Sequence, residues 1–203
     1  MNLLAIESAS TVCGVALFLD NKLIEIDEIN KPRVHGERLP ITIDKLIKKY
    51  ELELSCLDAI AVSSGPGSYT GLRIGMSFAK GLAMAANIPI IPVPTLEAMN
   101  YNVDNNGLYY IVLYSHKNFV FQQCFQNGNP ILPISCEVFD SDKLKPLFGY
   151  NMSKIIKLSE KELAPMSAKS VGELAIKNFS KWKIHNLSEV SPNYVTDFKL
   201  GEI

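Results

Sequence analysis

Three apolar stretches open the chain, at residues 3–6, 12–19 and 23–29, and each is short and rich enough in Leu, Val and Ile to predict a β-strand. The turn pair Asp20-Asn21 joins the second to the third as a hairpin. From residue 37 to 50 the period changes. Leu39, Ile43, Leu46, Ile47 and Tyr50 recur at helical spacing, with Lys45, Lys48 and Lys49 on the other side. A buried strand is predicted at 59–63, then a Gly/Pro/Ser loop, then a second helix over 71–86. A short strand at 88–93 and a helix at 94–102, entered through Pro94, complete an order β-β-β-α-β-α-β-α.

A similar series restarts after the polar break Asp104-Asn105-Asn106-Gly107. Strands are predicted at 108–113, 119–125 and 131–138, with Asn127-Gly128-Asn129-Pro130 as a turn. A short helix at 140–148, a strand at 154–158 and a helix at 167–182 follow. Two β-β-β-α-β-α units in succession predict an α/β protein of two duplicated lobes, residues 1–103 and 104–203, the second trimmed.

Twenty Lys and Arg against 21 Asp and Glu give a net charge of -1, so the chain lacks the basic footprint of a dedicated nucleic-acid binder. The one local excess is nine lysines between Lys143 and Lys183 against three acids, which reads first as a solvated surface. No apolar run approaches the ~20 residues of a membrane helix. The first residues lack the basic start of a signal peptide, so a cytoplasmic protein is expected. Cys13, Cys56, Cys124 and Cys136 form no C-x-x-C pair, which argues against a zinc knuckle or a redox motif.

The most distinctive stretch runs from Ser63 to Gly75, between a predicted strand and a predicted helix. A glycine-rich loop there can offer backbone N–H groups to an anion at a helix N-terminus. It does not match a Walker loop, because Leu72-Arg73 follows Gly71 where Lys-Ser/Thr is needed. It misses the dinucleotide spacing by one residue, and it lacks the glycines of a nucleophile elbow around Ser68. A tight turn with Ser68 or Thr70 as N-cap is the structural alternative. In the helix that follows, Gly71, Gly75 and Ala79 recur every four residues. Each glycine costs ~1 kcal/mol relative to alanine, so close packing must compensate, against either the 37–50 helix or a partner chain. His35 has Leu39 four residues on, so no histidine pair for a metal is present on that helix. Glu7-Ser8-Ala9-Ser10-Thr11 fits either a metal–phosphate support or a plain hairpin turn.

Three of these segments together resemble the TsaB (YeaZ) family: Ala5-Ile6-Glu7-Ser8-Ala9-Ser10, His35-Gly36-Glu37-Arg38-Leu39, and the run from Ser64, Gly65, Pro66, Gly67, Ser68, Tyr69 and Thr70 to Gly75. Pro192-Asn193-Tyr194-Val195-Thr196-Asp197-Phe198 is similar to the family's ending. The likeness is strong over residues 1–100, weak to about 185, and returns at the end. It implies an actin-like (ASKHA, ribonuclease H-like) fold and a non-catalytic subunit for synthesis of N6-threonylcarbamoyladenosine in tRNA. Such a subunit dimerises with and activates the transferase TsaD, works with the ATPase TsaE, and meets tRNA only through the complex. For the free chain both a monomer and a homodimer through the same surface stay open. The resemblance assigns no catalytic, cofactor or metal residue to this chain and leaves ATP and metal to the partner subunits. It directs the partner contact to the first-lobe helices, hence to Leu39, Ile43, Leu46, Ile47, Gly71, Gly75, Met76 and Ala79. The family usually carries Asp-Ala-Arg where Tyr114-Ser115-His116 stands here. Ala9 stands where a kinase needs glycine, and the second lobe offers no matching acid, which argues against an actin-like small-molecule kinase. A metallopeptidase-like hydrolase is the other alternative, and it would need a metal or an activated nucleophile.

Overall fold

A computed structural model describes residues 1–195; Thr196, Asp197 and Phe198 of the family-like ending lie outside the described residues. Strands β1 (Leu3–Glu7), β2 (Val12–Leu19) and β3 (Lys22–Asn30) form an antiparallel meander. Asp20 and Asn21 between β2 and β3 both adopt the left-handed conformation, φ 50° and 64°, that a two-residue hairpin favours. β4 (Ala59–Gly65) pairs parallel with β1, and β5 (Ile90–Pro94) pairs parallel with β4. The sheet order is therefore β3-β2-β1-β4-β5.

Helices cover both faces of this sheet, so β1 and β4 are buried along their whole length and read as unbroken apolar runs. On one face α1 (His35–Lys49) and α2 (Tyr69–Ala86) pack Leu39, Leu46 and Met76 on Leu4, Ile6 and Val15. α2 is bounded by Ser68, whose hydroxyl accepts from Gly71 N (3.2 Å), and by Asn87 in the left-handed conformation. On the other face α4 (Ala168–Lys177) lays Val171 and Ala175 on Leu3, Ala5 and Phe18. A Cβ on Gly172 would lie 2.1 Å from the Phe18 ring, so glycine sets how closely α4 approaches. Glu28 of β3 caps α4, accepting from Ser167 Oγ (2.9 Å) and from Ala168 N. It reaches there across Gly14, where a Cβ would sit 2.7 Å from its Cγ.

After α3 (Thr95–Asn100), the second sheet takes β6 (Leu108–His116), β7 (Phe119–Gln126), β8 (Asn129–Pro130), β9 (Ser135–Val138) and β10 (Leu147–Tyr150). β6 and β7 are antiparallel, β8 and β9 both pair with β7, and β10 runs parallel to β6 as β4 does to β1. The strand pattern is thus repeated, but among the described residues no α-helix forms between the strands of the second sheet. The helix expected at 140–148 is a turn followed by β10: Asp140 Oδ1 accepts from Asp142 N (3.0 Å), and Pro146 removes a helical donor. The strand expected at 154–158 is instead a 3₁₀ turn (Met152–Lys154) and an irregular stretch. Its Ile155, Ile156 and Leu158 cover the outer face of β6 and β7 around Val112 and Val120. The helix expected at 167–182 is α4 followed by a short α5 (Phe179–Trp182), and α4 packs on the first sheet rather than on the second. The inner face of the second sheet, with Tyr109, Leu113, Phe121 and Phe125, meets Ala9, Leu72, Leu96 and Met99 of the first lobe.

Candidate functional site

The glycine-rich loop leaves β4 and enters α2, and the β1–β2 turn supports it from below. Ser68 N donates to the Ala9 carbonyl (2.7 Å), and Ser8 N donates to Ser63 Oγ (3.1 Å). Gly65 N donates to Thr95 Oγ1 (3.1 Å), while Asn193 N donates to the Ser64 carbonyl (2.7 Å). The glycines serve these contacts. A Cβ on Gly65, at φ 108°, would lie 2.3 Å from the Asn193 carbonyl oxygen. On Gly67 it would lie 2.2 Å from the Ala9 oxygen, and on Gly71 2.1 Å from the Ser8 oxygen. Of the two readings left open by the sequence, these contacts show the capped turn: Ser68 is the N-cap, and the underside of the loop is filled by the chain's own carbonyls. Pro66 follows Gly65 through a cis peptide.

Glu7, the acid of the β1–β2 turn, is buried in the sheet, where its Oε1 accepts from Ala9 N (2.6 Å). Burial, with the nearby Glu28 charge adding to it, pushes its carboxyl up to about 8. Burial also raises Glu28. At neutral pH Glu7 is a protonated structural group. It takes no part in the wall of the cleft described next.

Between the lobes lies a cleft of about 900 Å³. The first lobe gives it Ser10 and Thr11, Arg33 and Gly36, and the loop from Gly67 to Gly71. The second lobe gives Leu113, Tyr114, His116, Phe119, Phe121 and Cys136. His116 stacks on Phe119, with centroids 5.1 Å apart and planes 7° from parallel. Tyr69 lies 4.9 Å from Tyr194, which brings the family-like ending back to the loop, and Arg73 lies over Tyr69. His35 is turned inward, its Nε2 donating to the Val12 carbonyl (2.9 Å). Sequence reasoning missed Arg33 and Phe119 and met Tyr194 only as part of the family-like ending, because the three come from distant segments that only the folded chain brings together.

The predicted partner-contact residues do not lie on an open surface. Leu39, Ile43, Leu46, Met76 and Ala79 are core residues, and Ile47 packs half-buried against them. Gly71 and Gly75 face the end of β1: a Cβ on Gly75 would lie 2.1 Å from Ser8 Oγ and 3.6 Å from Val62. Gly71 and Gly75 therefore pack on the chain's own β1 end, and Ala79 is buried in the core cluster that also holds Leu39, Ile43 and Leu46 of α1. The surface these helices present is a different one. On α2 it carries Ser77, Gly81 and Ala85, again four residues apart, beside Met84, which is 74% exposed. On α1 it carries Gly36 and Ile41, the latter 60% exposed. A Cβ on Gly81 would meet nothing within 4 Å. The signal was in the sequence, since Ser77-Gly81-Ala85 has the same spacing as the inward strip, but α2 carries only Arg73 and Lys80 as charges to mark its outer side.

Comparison with known proteins decides the family. A TsaB, named a tRNA threonylcarbamoyladenosine biosynthesis protein, from Bacillus subtilis is 31% identical over 166 residues, covering 75% of this chain and 72% of that protein. This chain belongs to the TsaB family. The Haemophilus influenzae TsaB is 38% identical over 99 residues, 49% of this chain, and the matched part is only 42% of that relative's length. The family model described as TsaD: tRNA N6-adenosine threonylcarbamoyltransferase matches residues 28–115. The solved structure of YeaZ from Pseudomonas aeruginosa superposes with a TM-score of 0.73 at 22% identity, over 95% of this chain and 99% of that one. A second Pseudomonas aeruginosa structure, of a protein with similarity to peptidase YEAZ, reaches 0.78 at 21% identity over 96% and 99%. The fold is the actin-like, duplicated α/β fold.

Proposed function

We propose that this chain is a non-catalytic subunit in the synthesis of threonylcarbamoyladenosine in tRNA, acting by pairing with the transferase TsaD and working with the ATPase TsaE. Family membership supports the pathway. The observation that carries the pairing is the outward face of α1 and α2, where a smooth Ser77-Gly81-Ala85 stripe lies beside exposed Met84, with Ile41 exposed on α1. Small residues at helical spacing let a second helix approach closely, and exposed apolar side chains beside them gain by being covered. The contact thus moves from the inward residues to the opposite side of the same two helices. Free copies of the chain would pair through this surface as a homodimer. ATP and metal would remain with the partner subunits, tRNA would be met only in the complex, and the assembly would work in the cytoplasm. Among the described residues no helix is long and apolar enough to cross a membrane.

The test is reconstitution from threonine, bicarbonate, ATP and tRNA with the threonylcarbamoyl-adenylate synthase, TsaD and TsaE, the chain being present or omitted. Modified nucleoside formed only when the chain is present supports the reading. Equal product without it overturns the reading.

A further inference from the structure

The inter-lobe cleft is large enough for a small molecule, since ligand pockets run to ~300–1,000 Å³. Its walls state what kind. Ile74, Leu113 and Phe121 are apolar, and the parallel His116–Phe119 pair and the Tyr69 ring offer flat faces. Arg33 supplies a permanent positive charge at the cleft and forms no ion pair among the described residues. Its backbone sits in the left-handed region at φ 62°, a conformation a long side chain adopts at a cost. No carboxylate stands among the described lining residues, so no formal negative charge there opposes an anion and none is offered to balance a divalent cation. Arg33 is the one Lys or Arg among the described lining residues. The underside of the glycine loop is closed, because the Ala9 and Ser8 carbonyl oxygens occupy the space under Gly67 and Gly71 and would repel negative charge.

We infer that the cleft binds a planar aromatic anion without a metal ion, its ring against Phe119 and His116 and its phosphate or carboxylate at Arg33. This site is separate from the outward face of α1 and α2 and does not depend on the pairing reading. The guanidinium suits either head group through paired N–H donors.

The experiment is calorimetric titration of the chain alone in metal-free buffer. The probes are adenosine monophosphate, indoleacetate, adenosine and inorganic phosphate, with the first two repeated in magnesium. Saturable one-to-one binding of at least one ring-bearing anion is expected, with adenosine about tenfold weaker or worse and magnesium without effect. Which of the two anions binds assigns the head group. Arg33→Asn removes the charge while keeping a residue that tolerates the left-handed backbone, and it should weaken the anion about tenfold at unchanged Tm. Phe119→Ala should weaken ring-bearing ligands, and if that variant fails to fold, Arg33→Asn still decides. The proposal is overturned if neither ring-bearing anion binds, if adenosine binds as well as its monophosphate, if magnesium is required, or if Arg33→Asn binds as the parent does.

Discussion

Helix α2 carries two stripes of small residues with the same period and opposite surroundings. Gly71 and Gly75 are buried against the end of β1, where added atoms would overlap Ser8, and Ala79 is buried in the core, whereas Ser77, Gly81 and Ala85 face outward, and Gly81 has open space above it. A small residue in the first stripe lets the chain fold on itself. In the second it leaves room for something else. Spacing alone does not separate the two, because both repeat every four residues. What separates them is the company each keeps: Leu72 and Met76 flank the inner stripe, and Arg73 and Met84 flank the outer one.

The largest expected effect lies on the inner side. Gly75→Leu must place a branched side chain where Ser8 and Val62 already stand, and overpacking of this kind costs ~1–3 kcal/mol or more. Chemical denaturation should show a lowered midpoint or no folded protein. An unchanged midpoint would mean that α2 does not rest on β1 as described.

The inner side also predicts a pH dependence. Glu7, next to Ser8, has its carboxyl raised by burial to about 8, well above the unfolded value. The native state then holds a proton the unfolded chain loses, so stability falls as pH rises from about 4.5 toward about 8 and levels off above that. Glu7→Gln keeps the neutral form and should flatten this fall, a difference on the order of a few kcal/mol near pH 8. Denaturant midpoints measured across that range check it, and parallel curves for the two proteins would refute it.

The smallest effect makes the sharpest contrast. Gly71→Ala and Gly81→Ala are the same substitution on the same helix. At Gly81 alanine meets nothing and should raise stability by up to ~1 kcal/mol through helix propensity. At Gly71 it meets the Ser8 carbonyl, so the midpoint should fall. Shifts of the same sign in both variants would erase the distinction between the stripes.

The first lobe was legible because each of its signals is local: unbroken apolar strands, the Asp20-Asn21 turn, Ser68 as a cap and the four-residue periods. The second lobe was legible only as three strands. Of its third strand, expected at 131–138, only β9 forms, while β8 lies in the expected turn, and Leu144 with Leu147 gives a helical spacing that Pro146 forbids. The apolar run at 154–158 covers a sheet without joining it. The cleft was illegible for a further reason. Arg33 and Phe119 carry no motif, Tyr194 belongs to one that points to no cleft, and their meeting is a property of how the two lobes pack.

The most direct measurement of the central claim is the dissociation constant of TsaD for the parent chain and for Gly81→Leu, taken alongside their Tm values. A leucine there projects into open space from the outer stripe, so the fold should be unaffected. The account predicts a Tm no lower than the parent's and at least about tenfold weaker binding. Equal binding by both proteins would contradict it and move the partner surface off this face of α2.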